Sequence, residues 1–415
     1  MNIQVCISLP IKVLVLDASE RASLAFIRSL GRRGFHITAA DHVTFSLGHL
    51  SRYCKKRIIY PSPEKSCPLF VKAIKLLLKK ENFDVVIPVS EFTVTILSYY
   101  KDELNDYALI AVPDYDQYVK TYDKANTVQH LHICRLPHPS TYMINDIGEI
   151  KEVAHVIKYP AVIKPRRKVY WLDGKAYVLK VTSEHYVGNP KELITKYQQI
   201  VQKGKLLKLG LLPIIQEYIP GETYGVEILS CRGEVKAIFM HKRLAEYPIT
   251  GGASTFRESV YLKELVDIGQ AVSYTFKWHG LAMIEVKIDK RDGTPKIIEI
   301  NGRPWGSLPL AVNAGVDFPY LYLEMLLGNN LREHRSYYVG LKQAWLLPGH
   351  LLWLYASLTQ AKDLKAIIKF IKSLAYQDDV LNLRDSGPTI GSLKVTFHYL
   401  IEVLKKQRKI TGEIL

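Results

Sequence analysis

LAMIEVKIDKRDGTPKIIEINGR, from Leu281 to Arg303, alternates apolar and polar side chains on either side of Asp292-Gly293, the pattern of two strands joined by a turn. Glu285 lies on the first strand. Glu299 and Asn301 lie two apart on the second and share a face, because strand side chains alternate with period two. A turn with an odd number of residues centred on Asp292 sets Glu285 opposite Glu299 and brings three oxygen-bearing side chains together. Like charges opposed across a ladder repel unless a cation intervenes. Two carboxylates and an amide oxygen suit a hard divalent ion, and magnesium takes further oxygens from substrate phosphates, so the hairpin predicts a nucleotide beside it. The alternative is a solvated sheet face on which Lys287 balances the two glutamates.

Upstream, Lys12 to Asp41 opens on the apolar run VLVL, passes through Asp17-Ala18-Ser19-Glu20, and continues with Leu24, Ile27 and Leu30 on one helical face. Gly31 and Gly34 stop that helix before a second strand ending at Asp41, which makes a β-α-β unit. A helix from Leu69 to Lys79 and apolar strands at Val85-Val86-Ile87-Pro88 and Leu109-Ile110-Ala111-Val112 extend it to a doubly wound α/β unit over residues 1–115. The loop after the first strand has no GxGxxG, so no dinucleotide is inferred. Residues 116–330 have shorter strands between glycine turns, an α+β pattern. Residues 331–415 read as a basic helical extension. There Leu364, Ile367, Ile368, Ile371 and Leu374 form an apolar stripe among Lys362, Lys365, Lys369 and Lys372, and Leu400, Ile401 and Leu404 precede Lys405-Lys406-Gln407-Arg408-Lys409. Docking of these helices on the core is favoured over a resting place on acidic lipid.

Composition bounds the chemistry. The 415 residues are 48% hydrophobic, with mean hydropathy near zero, as a folded core requires. A net charge of +16 favours anionic ligands or surfaces without choosing among nucleotides, nucleic acid and acidic lipid. No RNA-binding or zinc-finger pattern occurs, so a specific nucleic-acid partner is not expected. Cys6, Cys54, Cys67, Cys134 and Cys231 have no CxxC spacing, which excludes a zinc site or disulfide framework and fits a reducing cytoplasm. No signal peptide is expected, and the apolar run from Ala344 to Leu358, broken by Pro348, is too short to span a bilayer.

Continued through Pro304-Trp305-Gly306-Ser307, the hairpin resembles the metal-binding end of the ATP-grasp superfamily, in particular its carbamoyl-phosphate-synthetase-like carboxylate-amine ligases. The resemblance covers residues 12–330. It implies a Rossmann-like pre-ATP-grasp domain, a two-lobed ATP-grasp fold and the helical extension, with ATP and Mg2+ (or Mn2+) as cofactors. It also implies small-molecule carboxylate and amine substrates. In Tyr159-Pro160-Ala161-Val162-Ile163-Lys164-Pro165, Lys164 would reach the nucleotide phosphates, as would Lys124 after Tyr122-Asp123. Pro213 to Ile219 would be the hinge between lobes, where Gln216, Glu217 and the backbone at Tyr218 and Ile219 meet adenine. Glu222, or alternatively Glu227, would hold the ribose. Glu285, Glu299 and Asn301 would bind metal, and Arg303 would stabilise an acyl phosphate.

The family's glycine-rich flap is replaced here by Arg166 to Lys175, basic and aromatic with one glycine; its arginines and Lys180 could clamp phosphates by charge. Lys242 and Arg243 could hold the phosphate end or the carboxylate, or be a cationic strand edge, and His241 is given no catalytic role. Asp17, Ser19 and Glu91 are candidates for the acceptor site. The rivals are a catalytically weak nucleotide-binding regulator and an adaptor bound through its basic tail to a membrane or nucleic acid. Peripheral contact with an acidic membrane and homo-oligomer formation stay open.

Overall fold

In the computed structural model, which describes residues 10–249 and 251–404, the apolar run after Lys12 is the middle strand of an all-parallel five-stranded sheet. Across the sheet the order is Cys54–Ile59, His36–Asp41, Lys12–Val15, Val85–Ile87 and Leu109–Ile110. Val13, Leu14 and Val15 are fully buried, their side chains going alternately into the two apolar clusters that cover the sheet's faces. The helix Arg21–Arg32 buries Leu24, Ile27 and Leu30. Cys54–Ile59 lacks the apolar alternation that would have announced it. As an edge strand it exposes Lys55, Lys56 and Arg57 and needs few apolar residues.

The chain leaves the middle strand first to one neighbour and later to the other. The loops at the carboxyl ends of Lys12–Val15 and Val85–Ile87 therefore diverge at a switch point, and such crevices are where open α/β sheets hold ligands. Ser19, Glu20 and Glu91 lie there.

A four-stranded antiparallel sheet follows, ordered Tyr186–Val187, Ala161–Lys164, Ile214–Glu217 and Thr141–Tyr142. Helices Ile150–Val156 and Pro190–Lys203 cover it, with Leu193 and Tyr197 fully buried. The third sheet has seven strands, Pro295–Asn301, Gly280–Asp289, Gly221–Cys231, Glu234–Tyr247, Ala253–Ser259, Lys342–Ala344 and Gln377–Asp378. Period-two alternation sends Val226 and Ile228 against helix Lys263–Thr275, and Leu229, Phe239 and Met283 toward the core shared with the first sheet.

The region beyond residue 331 is not an appended bundle of helices. Lys342–Ala344 and Gln377–Asp378 complete the seven-stranded sheet, and helix Leu351–Thr359 buries Trp353 and Ala356 against Ala245 and Tyr247. Asp379, fully buried, pairs with Arg21 of the first sheet's helix and with Arg257 of the large sheet, and accepts from Gln343 at 2.8 Å. Arg28 joins Asp385 at 2.8 Å. The expected docking of the stripe is corrected: Leu364, Ile367, Ile368, Ile371 and Leu374 all remain exposed. The Leu400 and Leu404 side chains and Lys405 to Lys409 lie outside the described residues, as do Cys6 and Thr250. Among the described residues, no helix is long and apolar enough to cross a membrane.

Candidate active site

The strands Gly280–Asp289 and Pro295–Asn301 pair antiparallel with Glu285 directly across from Glu299 and Met283 across from Asn301. Asn301 Nδ2 donates to Glu299 Oε1 at 2.9 Å, and Arg303 Nη2 donates to Asn301 Oδ1 at 3.4 Å. Cations counter the carboxylates from two sides, Arg243 at 2.5 Å from Glu285 and Lys124 at 3.3 Å from Glu299. Burial opposes ionisation of Glu299, but Lys124 and Lys164 outweigh it and hold this carboxyl well below the usual range. At Glu285 burial prevails over the pull of Arg243, and repulsion from Glu299 adds to it, so that carboxyl is raised. Gly225, across from both His241 and Glu285, must be small: a Cβ there would meet the His241 ring at 2.3 Å.

Lys124 opens the helix Lys124–Ile133, whose N-cap Asp123 accepts from the Ala125 amide at 3.1 Å. Lys164 ends the strand Ala161–Lys164 and donates to Gln216 Oε1 on the adjacent strand at 2.7 Å. Lys124, Lys164, Gln216 and Glu299 line one small cleft with the apolar side chains of Val128, Leu131 and Ile214. Burial pushes the Lys164 ammonium down to about 8 against the pull of Glu299.

The hinge residues follow along the same strand. Glu217 is paired with Arg291 from the hairpin turn at 2.8 Å, and the Tyr218 amide donates to the Pro160 carbonyl at 3.0 Å. The Ile219 carbonyl accepts from Lys287 Nζ at 3.1 Å, and that charge lies 4.9 Å from the centroid of the Tyr218 ring. Sequence reasoning had used Lys287 only as a counter-charge to the glutamates, and Arg291 not at all. Their reach across the lobes comes from tertiary folding.

Several candidates stand elsewhere. Lys242 and Glu222 pair with each other at 2.5 Å, on the sheet face opposite Glu285 and Arg243, because neighbouring residues of a strand point to opposite sides. Glu227 is fully buried, 2.9 Å from His241 Nδ1 and accepting from Ser307 Oγ at 3.2 Å. Burial raises the Glu227 carboxyl and lowers the His241 imidazole, and Glu227, enclosed in the core, has no exposed surface to offer a ribose. Arg166 and Arg167 both place Nε 2.9 Å from the buried Asp123 and so brace the start of the Lys124 helix. The flap beyond them is a hairpin, Val169–Leu172 with Lys175–Val178, tied to the first unit by the Cys67 amide donating to the Gly174 carbonyl at 3.1 Å. Lys180 follows it, half-buried.

At the crevice, Asp17 accepts from the Val89 and Ser90 amides at 2.9 and 2.7 Å and from three hydroxyls, so it braces the loop and is unavailable to a substrate. Ser19 is exposed, with its amide on Asp41. Glu91 lies 3.7 Å from Arg303 and 3.6 Å from Lys168.

The donor set fits magnesium. Among the described residues, no three His, Cys, Asp or Glu side chains are grouped to hold a metal by themselves. Glu285 and Glu299 supply two carboxylates and Asn301 an amide oxygen, which suits an ion that takes its other ligands from phosphates and water.

A family model described as "ATP-grasp in the biosynthetic pathway with Ter operon" matches residues 212–346, the stretch holding the hinge and the carboxylate hairpin. A D-aspartate ligase of Enterococcus faecium is 22% identical over 372 residues, covering 82% of this chain and 83% of that protein. Biotin carboxylase from Campylobacter jejuni superposes with a TM-score of 0.64 at 15% identity, over 80% of this chain and 74% of that one. An L-amino acid ligase from Bacillus licheniformis superposes with a TM-score of 0.58 at 17% identity, over 77% and 75% of the two chains.

Proposed function

We propose that the chain, an ATP-grasp protein, is an ADP-forming ligase that joins a carboxylate to an amine, or to a thiol, through an acyl phosphate. The observation that carries this reading is the convergence on one cleft of Lys124, Lys164, Glu299 and Gln216, continuous with Glu285, Asn301 and Arg303. The lysines hold the phosphates. A magnesium ion held by Glu285, Glu299 and Asn301 would neutralise charge on the phosphates when bound. A carboxylate oxygen attacks the γ-phosphorus, and the bond to the bridging oxygen breaks to release ADP. Arg303 faces the charge that develops on the acyl phosphate. The nucleophile then displaces phosphate, entering from the crevice that Glu91 borders. Phosphoryl transfer asks little covalent chemistry of a protein beyond position and charge, and every residue in these roles is a charge or an oxygen donor. Residues 1–115 are assigned as the crevice-forming domain and 116–330 as the ATP-grasp domain, with residues 331–404 completing its large sheet and tying the two together.

The test is ADP release by the full chain with magnesium and ATP across a grid of carboxylates and amines. The names of the relatives point to amino acids as the first carboxylates to supply. ADP and phosphate should accumulate only when both partners are present. Tight nucleotide binding without turnover in any pair would favour a regulatory nucleotide-binding protein instead.

Nucleotide affinity should depend on pH through Lys164. Its ammonium titrates at about 8 in the free protein, and phosphates bound beside it raise that value, so affinity is steady below this pH. Above it affinity falls, by up to about tenfold per pH unit, until the bound-state value is reached. Calorimetry across this range should find that decline in the wild type and a weaker, flatter profile in Lys164→Ala. An unchanged affinity in the variant would move the phosphate contact elsewhere.

A further inference from the structure

The helix Lys365–Ser373, with its flanking residues, has three distinct faces at about 100° per residue. Ala366 and Ser373 are fully buried, and Phe370 stacks on His350 with ring centroids 5.4 Å apart, so this face holds the helix to the protein. Leu364, Ile367, Ile368, Ile371 and Leu374 form a second face, turned outward and 42 to 74% exposed. Lys365, Lys369 and Lys372 make the third face along one flank of that stripe, and Lys362 precedes the helix with a left-handed backbone. All four are exposed, and among the described residues none forms an ion pair. No acidic residue occurs from Leu364 to Tyr376.

A stripe of this kind in a water-soluble domain is ordinarily covered by the domain's own core. Here the fold has spent a different face on the core and left the stripe outside. We propose that this face docks on an anionic lipid surface, with the aliphatic side chains in the headgroup boundary and the lysine flank against lipid phosphates. The charge pattern selects this occupant. Lysines beside an apolar stripe match an acidic interface, whereas a second copy would bring a second set of lysines close by. The helix has nine residues, too few to cross a bilayer, so it lies in the interface plane. The inference is independent of the ligase reading.

The test is sedimentation of the full chain with phosphatidylcholine vesicles, with and without phosphatidylglycerol. The wild type should bind the acidic vesicles and lose binding as salt rises. Lys365→Gln/Lys369→Gln/Lys372→Gln should weaken binding about a hundredfold. Ile368→Ser/Ile371→Ser should lose it comparably with every charge retained. These positions are exposed, and an unchanged melting midpoint checks the fold of each variant. Three results would overturn the proposal: no preference for acidic vesicles, full binding by the isoleucine variant, or a concentration-dependent dimer that the isoleucine substitutions abolish.

Discussion

Glu299→Gln is expected to lower ADP formation by about a thousandfold or more while the fold and nucleotide binding persist. The substitution keeps the side chain's volume and removes its charge. Glu299 is where the site's electrostatics meet: Lys124 and Lys164 both lower its carboxyl against burial, Asn301 donates to it, and Glu285 opposes it across the ladder. Without that charge one of the two carboxylates offered to a divalent ion is gone, and Lys124 loses its ion-pair partner. ADP release measured beside nucleotide affinity separates the outcomes. Turnover near wild type would remove Glu299 from the metal site, and loss of fold would show a structural role instead.

Asp379→Ala should destabilise the protein by about 3–5 kcal/mol, the cost of leaving buried charge without its partner. Asp379 is fully buried and receives both Arg21 and Arg257, so its loss strands one fully buried and one nearly buried guanidinium group. Arg21 is also held over the Trp345 ring at 3.8 Å, which fixes it in place and prevents relief by rotation. Denaturant midpoints should fall accordingly. Replacing Arg21, Arg257 and Asp379 together with apolar residues of similar volume should recover most of the loss, because a buried ion cluster adds little net stability over well-packed apolar side chains. A loss below about 1 kcal/mol for Asp379→Ala would mean that the cluster is hydrated and does not lock the extension to the core.

The opposition of Glu285 and Glu299 was expected from an odd turn centred on Asp292, but the structure reaches it by another route: Ile288 pairs with Pro295 across an even loop, and a bulge that leaves Ile298 unpaired shifts the register by one to set Glu285 across from Glu299. The buried strands at Val13 and Val85 were legible from their continuous apolar runs, since strands covered on both faces are largely apolar. The edge strand Cys54–Ile59 was not, because a strand with one neighbour and exposed side chains carries no such constraint. Alternation would also have divided Lys242 from Arg243, which adjacency in the sequence had joined. The partners of Glu227 and Arg166 were not legible for a deeper reason. What a charged side chain does depends on its partner, and His241, Ser307 and Asp123 become partners only through the fold. Arg21 and Asp379 are 358 positions apart, and no local pattern marks them as a pair.

In the proposed reaction a carboxylate oxygen takes the γ-phosphoryl group of ATP and leaves with it. The most direct measurement supplies the carboxylate labelled with heavy oxygen, together with ATP, magnesium and the amine, and weighs the phosphate released. One labelled oxygen per phosphate, in step with ADP, is the predicted result, since the bond that breaks when the amine enters joins the acyl carbon to that oxygen. Unlabelled phosphate accompanying ADP would mean that water, not the carboxylate, had attacked, and would contradict the assignment.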